Sequence, residues 1–486
     1  FRGPDGQVVV TAERPLIDVR VTSARATVTA DEIADLPVQE LQEVVNLQAG
    51  VVDGHFRGGR LGEVQYQVDG VSVNDPYTNK SSLSIDRTLL QEVQVISGVF
   101  DAEYGQAMSG VVNAVLKEGS DSLEYNAEVY GGGFYFPDGD RRPVTDDERV
   151  QLDGTLSAQA SLSGPLPIPG TTFLLSGRYF HWEDYLQATQ LLDLTRPFLN
   201  DSTPNFDRSE EPLGYSKEGS GVLKLTNRSI PGVKVSYQAL LNRKEGRRTS
   251  YAWILNPEGL SRQRTWAVTH GVDVTHSLGT NTFYNLGVRQ NYVDYKDMLY
   301  DEFWDRRYDL AGPPVTDPQF ENGVLIFQGA DLTRFIQKTN AVLVKGSFTS
   351  QITREHMIKG GLEVQWPHIR FGRAGYLRDL GGSINRQYDL PPDFPAPRTY
   401  QPTIAAAFGQ SQLEWNDFTI RTGLRLEHFH AHASLPGDLA NPANAIQGAP
   451  ESLPVPVEAK TALAPRLAMA YPITERAGIH FAYGHF

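Results

Sequence analysis

From Leu123 to Phe486 apolar and polar residues alternate with a period of two, and no other feature limits the fold as tightly. Leu123, Tyr125, Ala127 and Val129 alternate with Glu124, Asn126, Glu128 and Tyr130. Successive side chains of a strand point to opposite faces, so the pattern describes strands with one apolar and one polar face. It returns over 152–162, 173–182, 223–226, 233–241, 265–275, 283–295, 341–348, 358–366, 404–415, 418–427, 463–471 and 477–486, and predicts about thirteen strands in all.

The connections alternate as well. Short turns such as Gly164-Pro165, Ser229-Ile230-Pro231-Gly232 and Asn416-Asp417 trade places with long polar or aromatic stretches at 134–149, 183–220, 242–264, 296–338, 367–402 and 432–460. Transmembrane barrels are built this way, with the long loops outside the cell, whereas a soluble sandwich has no reason to keep such a rule. Hydrophobic residues make up only 40% of the chain, and no apolar run approaches the ~18 residues of a spanning helix. A spanning strand needs only about ten residues, every second one apolar. Plugged barrels close with about 22 strands, and an open sheet edge in hydrocarbon stays unsatisfied, so the pattern predicts about nine further strands beyond Phe486.

The segment before Leu123 reads differently. Val93 to Ile96 and Val111 to Leu116 are β-prone runs flanking a stretch punctuated by Gly98, Gly105 and Gly110, which gives strand, irregular loop, strand. Thr29 and Glu32 fit a capping box, Leu41, Val44, Val45 and Gln48 share one helical face, and Gly50 ends that helix. An alternating strand at Val64, Tyr66 and Val68 runs into a turn at Asp69-Gly70. Together they predict a small mixed α/β domain. Asp5 to Ala12 is a separate β-prone run ended by Pro15; it fits either a strand added to another protein's sheet edge or the first strand of the mixed domain.

Charge and chemistry narrow the function. With 44 basic and 58 acidic residues the formal charge is −14, which argues against nucleic acid, and zero cysteine rules out disulfides and thiolate metal sites. Phe1 is not preceded by a signal sequence, which predicts a processed or trimmed form. No nucleophile–base pair and no phosphate-cradling loop is legible, so no catalytic residue, resident metal or cofactor is expected. His428, His430 and His432 have a spacing that fits a metal or a set of interfacial polar groups. Tyr251, Trp253, Trp304, Tyr308 and Tyr376 lie in the long connections and suit either stacking on a ligand or loop packing.

Val8 to Ala12, the helix ending at Gly50-Val51, Arg57-Gly58, Val68-Asp69-Gly70-Val71, Glu92-Val93, Gly98, Glu103-Tyr104-Gly105 and Gly110-Val111-Val112-Asn113 resemble, in order, the plug domain of TonB-dependent outer-membrane receptors. The wording around Phe56 to Arg60 and Val99 to Gly105 is similar to members that often carry an N-terminal carboxypeptidase-regulatory-like domain. The resemblance implies a mainly β protein, with an N-terminal mixed α/β plug inside a transmembrane antiparallel β-barrel. It divides the chain into a transducer-binding segment (1–14), a plug (15–120) and the N-terminal portion of the barrel (121–486).

By the same resemblance the protein sits in the outer membrane of a Gram-negative-type bacterium, captures a scarce extracellular ligand and imports it by transducer-driven remodelling of the plug. Its implied partners are a TonB-type inner-membrane energy transducer bound through Asp5, Gln7, Val8, Val9, Val10, Thr11 and Ala12, outer-membrane lipid, an extracellular ligand and a surface lipoprotein. Arg57 and Arg60 would present guanidinium groups to inward-facing Glu363, Glu414 and Glu427 of the wall. A scaffold for protein secretion or surface attachment would share this architecture. A soluble carbohydrate-binding β protein would share the alternation alone.

Overall fold

The structure is a computed structural model that describes residues 24–81, 83–135, 150–194, 203–303, 305–316, 323–373, 377–379, 386–388, 397–416, 418–441, 453–474 and 477–486. Asp5 to Ala12, Trp304 and Tyr376 lie outside the described residues.

The N-terminal domain is built on a five-stranded sheet of β1 (Ala24–Thr29), β2 (Val64–Val68), β3 (Val71–Ser72), β4 (Leu90–Ser97) and β5 (Gly110–Leu116), in the order β1-β4-β5-β2-β3. Only the β2–β5 pairing is parallel. Two short helices, α1 (Ala30–Ala34) and α2 (Leu41–Asn46), cover it. The expected capping box starts α1: the Thr29 backbone N–H and hydroxyl both donate to the Glu32 carboxylate, at 2.7 and 2.9 Å. The apolar stripe of α2 buries Leu41, Val44 and Val45 against Val64, Val68, Leu90, Val93 and Val112. Each such fully buried aliphatic side chain contributes roughly 1.5 to 3 kcal/mol, and Leu174, Val222 and Leu240 from later strands complete the cluster.

Thirteen antiparallel strands follow in sequence order among the described residues. They are β6 (Glu124–Tyr135), β7 (Val150–Pro165), β8 (Thr171–Glu183), β9 (Tyr215–Asn227), β10 (Val233–Arg247), β11 (Arg262–Ser277) and β12 (Thr282–Met298). Then come β13 (Phe335–Gln351), β14 (His356–Arg373), β15 (Thr403–Trp415), β16 (Phe418–His430), β17 (Lys460–Thr474) and β18 (Ala477–Gly484). The period-two pattern sets their faces: Leu362, Trp366, Leu424 and Leu426 are exposed on the outer face, while Glu363, Gln365 and Arg425 are buried on the inner one. Several strands exceed the ~10 residues needed to cross a bilayer, β14 reaching 18. The surplus lies at the long-loop end, where outward residues turn polar and periodicity alone gives no endpoint.

Inner-face residues from β8 through β16 touch the N-terminal domain, so the sheet wraps around it as a wall around a plug. On the long-loop side, connections between 184 and 334 fold into a unit of their own. One cluster packs Leu299, Tyr300, Tyr308, Ala311 and Ala330; another packs Ala188, Leu213, Ile254 and Leu325.

Candidate functional site at the seam between plug and wall

Two plug segments carry most of the seam. The first is the hairpin tip joining β2 to β3, where Asp69 and Gly70 have φ of +51° and +82°. Positive φ at both central residues is the geometry for which Asp-Gly is suited, so the sequence forms this tip locally. Wall side chains then seize it. Lys224 Nζ donates to the Asp69 carboxylate at 2.9 Å and to Leu116 O at 3.0 Å, and Gln238 Nε2 donates to Asp69 at 3.0 Å. Arg289 Nη1 donates to Val68 O at 3.0 Å, Lys345 Nζ to Gly70 O at 2.9 Å, and Asn291 Nδ2 to Ser72 O at 3.2 Å.

The second segment is Asp101-Ala102-Glu103, inside the glycine-punctuated loop between β4 and β5. Arg421 Nη1 donates to both Asp101 oxygens at 2.6 Å, and Lys359 Nζ donates to the Glu103 carboxylate. The Ala102 N–H donates to Gln410 Oε1 at 3.1 Å. Arg425, almost wholly buried, donates to Glu427 at 2.8 Å and reaches Ala102 O and Glu103 O at 3.4 and 3.3 Å. Gly105 is needed here because a Cβ at that position would collide with the Arg425 guanidinium. Burial works against ionising Glu103, but Lys359, Lys345 and Arg421 outweigh it and hold its carboxyl below the usual range.

The expected pairs between Arg57 or Arg60 and Glu363, Glu414 or Glu427 are absent among the described residues. Most seam pairs join a wall cation to a plug carboxylate, while Arg87 of the plug reaches Glu128 of the wall at 3.5 Å. Arg57 sits in a left-handed turn (φ +48°) and is exposed, as is Arg60. Glu427 is taken by Arg425, Glu414 accepts from Gln412 at 2.9 Å, and Glu363 is buried facing a cavity. That cavity, about 790 Å³, lies between the plug and the long-loop end of β15 to β17, with Pro76, Asn79, Gln106, Glu427 and Lys460 in its lining.

The long-loop aromatics divide. Trp253 and Tyr308 are buried in the loop unit, where Tyr300 N–H donates to the Tyr308 hydroxyl at 3.2 Å, so both are packing residues; Tyr251 is exposed. Gln190 and Asn256, both fully buried, knit the same unit: Gln190 Nε2 donates to Asn256 Oδ1 at 2.8 Å, and Asn256 Nδ2 to Gly329 O at 2.7 Å. Among the described residues no group of three or more His, Cys, Asp or Glu is placed to hold a metal. His430 Nδ1 lies 3.2 Å from His432 Nε2, and His428 bonds Thr461.

Sequence reasoning missed Asp69, Asp101, Lys224, Lys359 and Arg421. The signal available was the inner-face charge of the strands: Lys224, Arg289, Lys345, Lys359, Arg421 and Arg425 all fall on the polar side of the alternation.

Comparison with known proteins fits this geometry. Residues 205–485 match the family described as TonB dependent receptor-like, beta-barrel, and residues 18–112 match the TonB-dependent receptor plug domain. Over 186 residues the chain is 28% identical to the TonB-dependent transporter Oar of Myxococcus xanthus, which takes in 33% of this chain and 17% of that protein. The unliganded ferric citrate transporter FecA superposes with a TM-score of 0.62 at 14% identity, covering 94% of this chain and 61% of FecA. The outer-membrane transporter YddB of Escherichia coli gives 0.63 at 11% identity, covering 95% and 60%. The siderophore receptor PiuA of Acinetobacter baumannii gives 0.59 at 12% identity, covering 96% and 64%. At such identity the superpositions speak for the fold, and the chain spans less than two thirds of each of these relatives.

Proposed function

We propose, on the premise that this chain belongs to the TonB-dependent receptor family, that it imports an extracellular ligand when an inner-membrane transducer pulls on the segment around Val8 to Ala12 and remodels the plug. The family consists of non-enzymatic proteins of the outer membrane, which is where the exposed apolar face of this wall belongs. Binding alone only shifts equilibria, so net uptake needs work delivered from elsewhere.

The observation that carries the reading is the composition of the seam. Apart from Leu174, Val222 and Leu240, which join the plug core, and the ring contacts of Tyr77 with Phe335 and Phe371 and of Phe100 with Phe486, the seam contacts are mostly hydrogen bonds and ion pairs. Such bonds exchange readily for bonds to water and each contributes only about 0.5 to 3 kcal/mol net. A pull can therefore break them one after another without exposing a large apolar surface. The cavity on the long-loop side offers a place for the ligand, and Tyr251 is an exposed aromatic of the loop unit available to contact it.

Deleting Asp5 to Ala12 tests this reading. Uptake of a labelled ligand by whole cells falls to background while binding to the cell surface persists; transport at the normal rate would refute the mechanism.

A further inference from the structure

β16 ends at His430, and two residues later the chain turns before a short hairpin of Ser434–Pro436 with Pro454–Pro456. Alternate residues of a strand share a face, so His428 and His430 stand about 7 Å apart along β16. A continued strand would put His432 as far again beyond His430. The strand does not continue: His432 has a φ of +48°, in the left-handed region that side chains other than glycine adopt rarely and histidine more readily than most. The turn carries its ring back until the His430 and His432 ring centroids are 3.8 Å apart, with the planes at 66°. His428 stays outside this pair, its Nδ1 bonded to Thr461 Oγ1 at 3.0 Å.

Two nitrogens then face each other, His430 Nδ1 and His432 Nε2, at 3.2 Å. Nitrogens that each lie about 2.0 to 2.1 Å from one tetrahedral ion are about 3.3 Å apart, so the gap matches an ion shared by both rings. The hydroxyl of Thr403, the register partner of His430, is 3.0 Å from the same His432 nitrogen and is placed to bond a water on that ion. His432 is exposed and His430 half-buried, so an ion reaches them from solvent. No third His, Cys, Asp or Glu completes a closed site among the described residues, which leaves the other coordination positions to water. Imidazole ligands suit zinc, copper and nickel, whereas calcium and magnesium take oxygen.

We infer that His430 and His432 form a two-histidine clamp for a divalent transition-metal ion at the root of the 432–460 connection. The ion takes a lone pair from each facing nitrogen, and the ring protons rest on His430 Nε2 and His432 Nδ1. It ties the turn to the strand end and so steadies the start of the hairpin, where the Val457 N–H donates to Ala433 O at 2.8 Å. The clamp shares no contact with the seam and does not depend on import.

Titration of the full-length protein in detergent with Cu²⁺ alone, followed by electron paramagnetic resonance, tests it. The tightest ion taken up by the natural chain shows coupling to two imidazole nitrogens. A second donor on the same chain acts through its effective concentration, so His430→Ala and His432→Ala each weaken this uptake about a hundredfold and leave coupling to one nitrogen. His428→Ala leaves affinity and spectrum unchanged, and millimolar Ca²⁺ or Mg²⁺ does not displace the ion. In the natural chain, which needs no variant to fold, Zn²⁺ slows hydrogen exchange at 430–436 and a chelator reverses the effect. Unchanged uptake in either alanine variant, an equal loss in His428→Ala, displacement by Ca²⁺ or Mg²⁺, or exchange indifferent to Zn²⁺ overturns the proposal and leaves a hydrogen-bonded histidine pair.

Discussion

The seam around the plug and the loop unit above it are both interfaces between distant parts of one chain, and they are made of different materials. The seam is lined mostly with cations on the wall and carboxylates or carbonyls on the plug, joined through bonds such as Lys224–Asp69 and Arg421–Asp101, with Arg87–Glu128 running the other way. The loop unit is closed by its own apolar clusters and by buried neutral amides, with Tyr308 and Asn256 fully enclosed, and it carries ion pairs of its own at Arg247–Glu211 and Arg248–Asp331. Charged seams come apart where water can replace the partner; apolar clusters do not. The contrast assigns motion to the plug and a fixed frame to the loops.

Emptying the loop core sharpens the contrast most. Tyr308→Ala removes a fully buried ring and costs the unit about 4 kcal/mol, read as lost hydrogen-exchange protection across 299–332 with the plug unaffected. Lys224→Ala comes next. It leaves the Asp69 carboxylate with two neutral donors, the Gln238 amide and the Leu116 N–H, and loosens the hairpin tip by about 3 kcal/mol, seen as faster exchange at 68–72. Arg421→Ala has a smaller effect, about 1 kcal/mol, because both it and Asp101 keep about a fifth of their side-chain surface in water (20% and 21%). If Arg421→Ala cost as much as Tyr308→Ala, the two interfaces would not differ in kind.

Acid gives the smallest effect, and its sign differs between the two. The Glu103 carboxyl is held below its ordinary range, so its contribution to the seam is complete above that range and is lost as pH falls through the lowered value. Glu258 in the loop unit is raised, by burial first and then by Glu211 and Asp207. Its contribution is present while it is protonated and is lost as pH rises through the raised value. Urea titrations at neutral and mildly acidic pH should therefore show the loop unit gaining stability as acid is added, with the seam weakening only at still lower pH.

The wall was legible because burial on one face and solvent or lipid on the other impose a period of two, visible at Leu362, Glu363 and Val364 without any partner known. The Thr29–Glu32 cap and the Asp69-Gly70 turn were legible because their causes lie within four residues. The seam was not. Lys359 and Glu103 lie 256 positions apart, and which inner-face cation meets which plug carboxylate depends on how the sheet wraps. Arg57 and Arg60 were expected partners by the family resemblance and by their charge, and only their placement in an exposed turn shows where they stand. Trp253 and Tyr308 carry no local sign that separates a packed aromatic from one offered to a ligand.

A disulfide across the seam tests the central claim most directly, since the chain has no cysteine of its own. A Cβ at Gly423 would lie 2.8 Å from that of Ala102, close enough to bridge after a shift of about 1 Å. In Ala102→Cys/Gly423→Cys the oxidised protein binds ligand normally but imports none, and reduction restores uptake. Import at the full rate with the bridge closed would show that this part of the seam never has to open.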